Sequence, residues 1–166
     1  MLALLILVFG IASRLFVHLP NFTPVVALAL FGGVTLQKRA ALFVPLALMV
    51  ISDLIIGLHA ALFFTWGGVL LATVIGFAVR RHKSPVRLLG ASILAAVGFF
   101  LVSNFGAWLA MYPRTAQGFS DCYIAAIPFF RYTLVSTVAY SAVIFGLYEA
   151  VARSVRETRF AKALSV

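Results

Sequence analysis

Acidic residues are scarce in this chain of 166 residues, which has four Asp and Glu against thirteen Lys and Arg. Charged residues make up only 10% of the chain, whereas a soluble globular domain carries about 25%. This scarcity excludes a water-soluble enzyme, a disordered chain and a coiled coil. The single cysteine, Cys122, excludes an internal disulfide and with it a disulfide-stabilised scaffold.

The residues that are abundant are apolar, and hydrophobic side chains account for 64% of the chain. A membrane-spanning helix needs about 20 predominantly apolar residues, so a chain of this length comfortably holds six with short loops. We therefore predict an all-α, polytopic membrane protein whose residues 1–166 form a single domain. Its fold is expected to be a compact bundle of six transmembrane helices, with the lipid bilayer as its first partner.

Polar and basic segments divide the apolar runs into candidate spans. These spans are predicted at about residues 2–17, 23–36, 41–58, 61–79, 88–111 and 131–152. Residues 112–122 are expected to form a loop, and Pro128 to separate a short surface stretch at 123–130 from the last span, because proline kinks a helix. The first apolar run has no basic region before it and no cleavage site after it, so we interpret it as a retained span.

The positive charges orient these six spans. Ten of the thirteen basic residues fall on the side that holds both termini: Lys38, Arg39, Arg80, Arg81, Lys83, Arg87, Arg153, Arg156, Arg159 and Lys162. Arg14, Arg114 and Arg131 fall on the other side. Because short cytoplasmic loops collect Lys and Arg, we predict that both termini are cytoplasmic, in the inner membrane of a bacterium. The same rule explains the net charge of +9 without any nucleic-acid partner.

With this topology, the polar side chains inside the spans collect toward the outer ends of the helices. The candidate ligand-binding residues are Arg14, His18, Asn21, Asp53, His59, Asn104, Trp108, Tyr112 and Arg131. The inner halves of the same helices are almost entirely aliphatic. The sequence therefore predicts a polar pocket that faces outward.

Arg14, Asp53 and Arg131 are the ionisable residues that belong most clearly to this group. Such groups are costly at membrane depth, so they usually face the interior and are paired. They form either a buried ion-pair network that only fixes helix packing or the wall of a ligand site. Two arginines against one carboxylate leave a surplus positive charge, which favours an anionic or strongly polar ligand.

Other candidates keep a second interpretation. Asn104 is expected to face the interior, whereas Trp108 and Tyr112 fit either a pocket wall or an aromatic belt at the membrane interface. Imidazole and carboxylate groups of His18, Asp53 and His59 could ligate a transition metal. Their spacing is not diagnostic, so we predict no metal site. No catalytic signature is present, and we predict neither a catalytic residue, nor a cofactor, nor an enzymatic activity.

Four blocks of sequence carry a resemblance to a known group of proteins. The segments HLPNFTPVVALALFGG (18–33), VPLALMVISDLIIGLH (44–59), FFLVSNFGAWLAMYP (99–113) and GFSDCYIAAIPFFRYT (118–133) resemble an uncharacterised family of small, six-span bacterial membrane proteins. That family is similar in turn to the substrate-binding S components of energy-coupling-factor transporters. The resemblance implies an intramembrane protein that captures a small molecule from outside and works with an ATPase and scaffold module.

Two functions follow from these observations. The first is a substrate-binding and transport subunit with an outward-facing polar pocket for a small molecule. The alternative is a non-transporting accessory or assembly subunit of a larger membrane complex, whose outer polar residues bind partner subunits.

Overall fold

The computed structural model describes residues 2–16 and 20–156 of the chain, with the side chains of the last helix described as far as Ser154. Its described residues form an all-α fold, as predicted. The six helices are α1 (Leu2–Phe16), α2 (Val25–Thr35), α3 (Lys38–Ile56), α4 (Leu62–Val79), α5 (Pro85–Met111) and α6 (Ala116–Arg156).

Four of these helices, α3 to α6, are long and apolar enough to cross a membrane, by length and composition. Helices α1 and α2 have 15 and 11 residues. At about 1.5 Å per residue, α2 extends only about 16 Å, roughly half of a hydrocarbon core of about 30 Å. The structure therefore describes a membrane-embedded protein with four helices of spanning length, whereas the sequence predicts six spans.

The short helix α2 lies at the centre of the fold and contacts all five other helices. Every residue from 25 to 34 is buried. A helix that is apolar on all sides is expected in such a position, because no face of it suits water.

One end of α2 packs against α4 without intervening side chains. A Cβ atom built on Gly33 would lie 3.0 Å from the Cα of Gly76 and would collide with the carbonyl oxygen of Thr73. The two backbones therefore touch, as small residues permit in membrane helices. At the same end, Arg80 donates a hydrogen bond to the carbonyl of Leu36. We call this the basic end, because Lys38, Arg39 and residues 80–87 gather there.

The last helix corrects the predicted loop. Helix α6 begins at Ala116 and runs without a break to Arg156, so the loop predicted for 112–122 is confined to 112–115, and the separate stretch predicted at 123–130 is wrong. Pro128 lies inside this helix. Proline removes one hydrogen bond of the ladder, and neighbouring helices in a membrane protein can accommodate that loss. With 41 residues, α6 extends about 60 Å at 1.5 Å per residue.

Capping explains why α5 begins earlier than the predicted residue 88. The side chain of Ser84 accepts a hydrogen bond from the backbone N–H of Arg87 at 3.3 Å, and Pro85 occupies the first turn. Serine before proline is a common helix start, since the serine oxygen satisfies a free N–H and proline has none to satisfy. The basic loop is therefore shorter than its composition indicates.

Candidate functional site

A cavity of about 150 Å³ lies at the other end of α2. All six helices and the connection between α1 and α2 contribute to it. The residues that line it are Arg14, Asn21, Thr23, Val25, Val26, Met49, Thr65, Phe99 and Thr133. We call this the cavity end. Its wall combines hydroxyl, amide and guanidinium groups with aliphatic and aromatic surface.

Arg14 is the charged residue of this wall, and α3 fixes its position. Its Nη1 atom donates to the hydroxyl of Ser52 at 2.6 Å and lies 3.3 Å from the sulfur of Met49. The hydroxyl of Ser52 itself donates to the carbonyl of Leu48 at 2.7 Å. Because that bond uses the serine proton, the oxygen is left to accept from the guanidinium. The side chain of Arg14 remains 17% exposed and lines the cavity, while its hydrogen bond to Ser52 fixes it to α3.

Asp53 balances the charge of Arg14 from inside the protein. Its Oδ1 atom lies 2.7 Å from Nη2 of Arg14 in a salt bridge that lacks the alignment of a hydrogen bond, and the carboxylate is 1% exposed. Its Oδ2 atom accepts from the indole N–H of Trp66 at 2.7 Å. A buried ion pair of this kind is tolerated only when further hydrogen bonds satisfy its atoms. Trp66 and Ser52 provide them.

Residues 20–24, which precede α2, form a rim of the cavity through Asn21 and Thr23. Asn21 is exposed and has a φ of +60°, a left-handed conformation that asparagine tolerates better than most residues. Its carbonyl oxygen accepts from the hydroxyl of Ser136 at 3.5 Å. The next residue, Phe22, packs against Tyr140 with the ring centroids 5.9 Å apart. Two contacts with α6 therefore hold this rim in place.

On α6, a series of buried hydroxyl groups continues from the cavity into the protein. Thr133 lines the cavity, and Ser136, Thr137 and Ser141 follow it toward the basic end, all at most 6% exposed. The hydroxyls of Thr137 and Ser141 have no hydrogen-bond partner within the part of the chain that the structure describes. Beyond them, Phe31 of α2 packs edge-on against Phe145, with ring centroids 5.1 Å apart.

Arg131 does not join the ion pair of Arg14 and Asp53. It is exposed and lines a separate, open hollow of about 340 Å³ together with Phe22, Tyr132 and Val135. The two hollows lie on either side of the contact between the rim and α6. Within the part of the chain that the structure describes, Arg131 forms no salt bridge. Of the three ionisable candidates, the structure therefore brings only two together.

Asn104, Trp108 and Tyr112 lie along the end of α5 and are not among the residues that line the cavity. The side-chain amide of Asn104 donates to the carbonyl of Phe100 at 2.8 Å, within its own helix. Trp108 packs against Phe119 at the start of α6, with ring centroids 5.4 Å apart, and its indole donates to the carbonyl of Pro113 at 3.1 Å. This region is an aromatic contact between two helices.

The two histidine candidates are placed differently. His59 is exposed in the turn between α3 and α4, and His18 lies outside the described residues. Among residues 2–16 and 20–156, no group of three or more His, Cys, Asp or Glu side chains could hold a metal ion.

Several residues of the site did not appear among the sequence candidates. Ser52, Thr65, Trp66 and Thr133 are polar groups in apolar segments, and two of them, Ser52 and Thr133, lie within two residues of a residue that was selected. That proximity was a usable signal. Met49 and Phe99 are ordinary apolar residues, and nothing in the sequence distinguishes them from the rest of the bundle.

Comparison with known proteins gives a single result. A family described as "Family of unknown function (DUF6580)" matches residues 1–161. No curated protein and no solved structure matches the chain.

Proposed function

The chain belongs to the DUF6580 family, and we propose that it binds a small polar molecule in the cavity beside Arg14 as the substrate-binding subunit of a transport system. The observation that carries this proposal is the construction of the cavity. Six helices contribute to one hollow of about 150 Å³, and its charged group is held by an almost fully buried carboxylate. Packing alone does not require a membrane protein to keep such an ion pair beside a void.

The volume limits the size of the ligand. A water molecule occupies about 30 Å³ in the liquid, and an engineered apolar cavity of about 150 Å³ accepts benzene. Sites for drug-sized molecules measure about 300–1,000 Å³. We therefore propose a ligand of at most about ten non-hydrogen atoms.

The charge distribution supports an orientation in the membrane. The basic end carries Lys38, Arg39, Arg80, Arg81 and Lys83, and short basic loops remain in the cytoplasm. We propose that the basic end faces the cytoplasm of a bacterial cell and that the cavity end faces outward across the inner membrane. In this arrangement α2 is an inner helix that the longer helices surround, and the chain forms the six-helix bundle that the sequence predicts.

The resemblance to the S components of energy-coupling-factor transporters favours transport over simple binding. An outward cavity at one end and a closed, small-residue contact at the other would suit a subunit that captures a solute and delivers it with the help of partner subunits. No step of the activity requires a catalytic group, and we propose none.

A thermal-shift screen of the purified protein tests this function. A ligand at 100 times its dissociation constant stabilises the folded state by about 2.7 kcal/mol, which corresponds to a rise of about 5–10 °C in the unfolding midpoint. The control is the double variant Arg14→Met/Asp53→Asn, which removes the charge pair but leaves an amide oxygen to accept from Trp66. Ligands of the cavity should stabilise the wild type and not the control. If no compound of the permitted size stabilises the wild type, the proposal fails.

A second candidate is the accessory subunit of a larger membrane complex, and the length of α6 favours it. At about 60 Å, this helix is roughly twice as long as a bilayer core is thick, so part of it extends beyond the other helices. Affinity purification from membranes distinguishes the two functions. A stoichiometric partner without any stabilising ligand would favour the accessory role.

A further inference from the structure

The wall of the cavity indicates which chemical class of ligand it accepts, on the premise that the proposed binding function is right. We infer that the ligand is a small carboxylate with an apolar body, bound through its carboxylate to Arg14 and to the first turn of α2. The argument uses the charge of the wall, the free donors at its base and the apolar surface between them.

The positive group of the Arg14–Asp53 pair is the one that faces the cavity, because its negative partner lies behind it. Among the described residues that line the cavity, Arg14 is the one ionisable side chain. Asp53 is 1% exposed and contacts the guanidinium from the protein side. A ligand in the cavity therefore meets the arginine before the aspartate. Arginine presents five N–H donors in a planar fork that suits a carboxylate.

The other described acidic residues, Asp121 and Glu149, pair with residues that do not line the cavity. Asp121 accepts a hydrogen bond from Gln117 at the exposed start of α6. Glu149 pairs with Arg153 one turn further along the same helix, near its other end. The neighbouring hollow contains a second arginine, Arg131. An anion that approaches the cavity end therefore meets two positive groups, Arg14 and Arg131.

The first turn of α2 adds backbone donors to the positive wall. Its first intrahelical hydrogen bond joins the N–H of Leu28 to the carbonyl of Pro24 at 2.8 Å, so the N–H groups of residues 25–27 precede the ladder. Among the described residues, no side-chain hydrogen bond caps this end of the helix. Val25 and Val26 line the cavity. Free N–H groups and the positive end of the helix dipole at such a position favour an anion.

The remaining surface argues against a bare inorganic ion. Val25, Val26, Met49 and Phe99 contribute aliphatic and aromatic area to the same cavity. If the cavity held a hydrated inorganic anion, this apolar surface would remain in contact with water. A short-chain or aromatic carboxylate would cover it. Removal of apolar surface from water stabilises a complex. The cavity is therefore suited to an amphiphilic molecule, such as a carboxylate with about two to seven non-hydrogen atoms beyond its carboxylate group.

Matched pairs of probes test this inference directly. Propionate and benzoate are titrated against purified full-length protein alongside propionamide and benzamide, which have nearly the same shape without the charge. Binding is followed by tryptophan emission, to which Trp66 contributes beside Asp53, and by the unfolding midpoint. We expect each carboxylate to bind at least ten times more tightly than its amide. In Arg14→Met/Asp53→Asn the ratio should fall below about two.

The outcomes separate this inference from the proposed function. If amides or the corresponding amines bind as tightly as carboxylates, the cavity is a binding site and the inference about its ligand class is wrong. The same holds if none of these probes binds while other compounds of the thermal-shift screen do. The wild-type comparison requires no variant, so a folding defect in the double variant cannot obscure the result. A carboxylate preference that survives in a well-folded double variant would also overturn the inference, because it would place the anion elsewhere.

Discussion

The two ends of α2 pack against the rest of the protein in different ways. At the basic end, Gly33 and Gly76 bring two helix backbones into contact. At the cavity end, Arg14 and Asp53 hold a polar contact inside the protein, and a hollow of about 150 Å³ remains beside it. Helices that pack closely need no polar group between them. A void between helices is unfavourable, because the side chains around it lose van der Waals contacts. This difference agrees with a structural role for the basic end and with the binding role proposed for the cavity end.

The largest effect on stability should come from separating the charges at the cavity end. Asp53→Asn keeps an oxygen for Trp66 but leaves the guanidinium of Arg14 without its counter-ion, which should cost about 3–5 kcal/mol in the free energy of unfolding. The double variant Arg14→Met/Asp53→Asn should recover most of this loss, because no buried charge remains. Chemical denaturation in detergent measures both. A double variant as unstable as the single one would contradict the proposed pairing.

The next effect should appear at the basic end. A methyl group at Gly76 would collide with the carbonyl oxygen of Leu30 and lie 2.9 Å from the Cα of Gly33. Neither backbone can move away easily, so Gly76→Ala should destabilise by about 3 kcal/mol. Gly67→Ala on the same helix is the matched control, since its new methyl would meet only Val102 at 3.8 Å. Equal thermal midpoints for the two variants would show that the helices do not touch at Gly76.

A smaller difference should separate the two tryptophans. Trp66→Phe removes a hydrogen bond to the buried carboxylate of Asp53, and a bond to a charged group contributes about 1.5 kcal/mol or more. Trp108→Phe removes a bond to a backbone carbonyl in an exposed position, so its loss should be under about 1 kcal/mol. Unfolding midpoints of the two variants provide the comparison. A reversed order would mean that Asp53 does not depend on Trp66.

The smallest effect should distinguish two adjacent arginines at the basic end. Arg80 donates to the carbonyl of Leu36 and lies 5.4 Å from the ring centroid of Phe77, whereas Arg81 is exposed. We expect Arg80→Met to lower stability by about 0.5–1 kcal/mol. Arg81→Met should be close to neutral. If both variants are as stable as the wild type, the contacts of Arg80 with Leu36 and Phe77 contribute nothing to stability.

The sequence predicted the helical class and the clustering of polar groups at one end, and both rest on simple counts. Apolar runs between basic loops identify helices well, because length and hydropathy are local properties. The start of α6 was missed because a polar segment, 116–122, can be helical when it packs on its neighbour. Pro128 was misjudged because the cost of one lost hydrogen bond depends on the surrounding helices.

The candidate site was predicted in part. Arg14, Asn21 and Asp53 take part in the cavity or support it, since ionisable groups in a membrane helix need a partner. Arg131 lies in a different hollow and Asn104 bonds to its own helix. Membership of a span does not determine the face on which a side chain lies, and that face depends on the rotation of each helix against its neighbours.

Accessibility of the cavity from outside the cell tests the central claim most directly. In a Cys122→Ala background, Thr65→Cys places a thiol at the cavity, and Val74→Cys places one on the exposed, apolar side of the same helix. Only a hydrated thiol ionises and reacts readily. We predict that a membrane-impermeant methanethiosulfonate reagent added to intact cells labels Thr65→Cys at least ten times faster than Val74→Cys. Equal rates, or labelling only after the membrane is permeabilised, would contradict an outward-facing binding cavity.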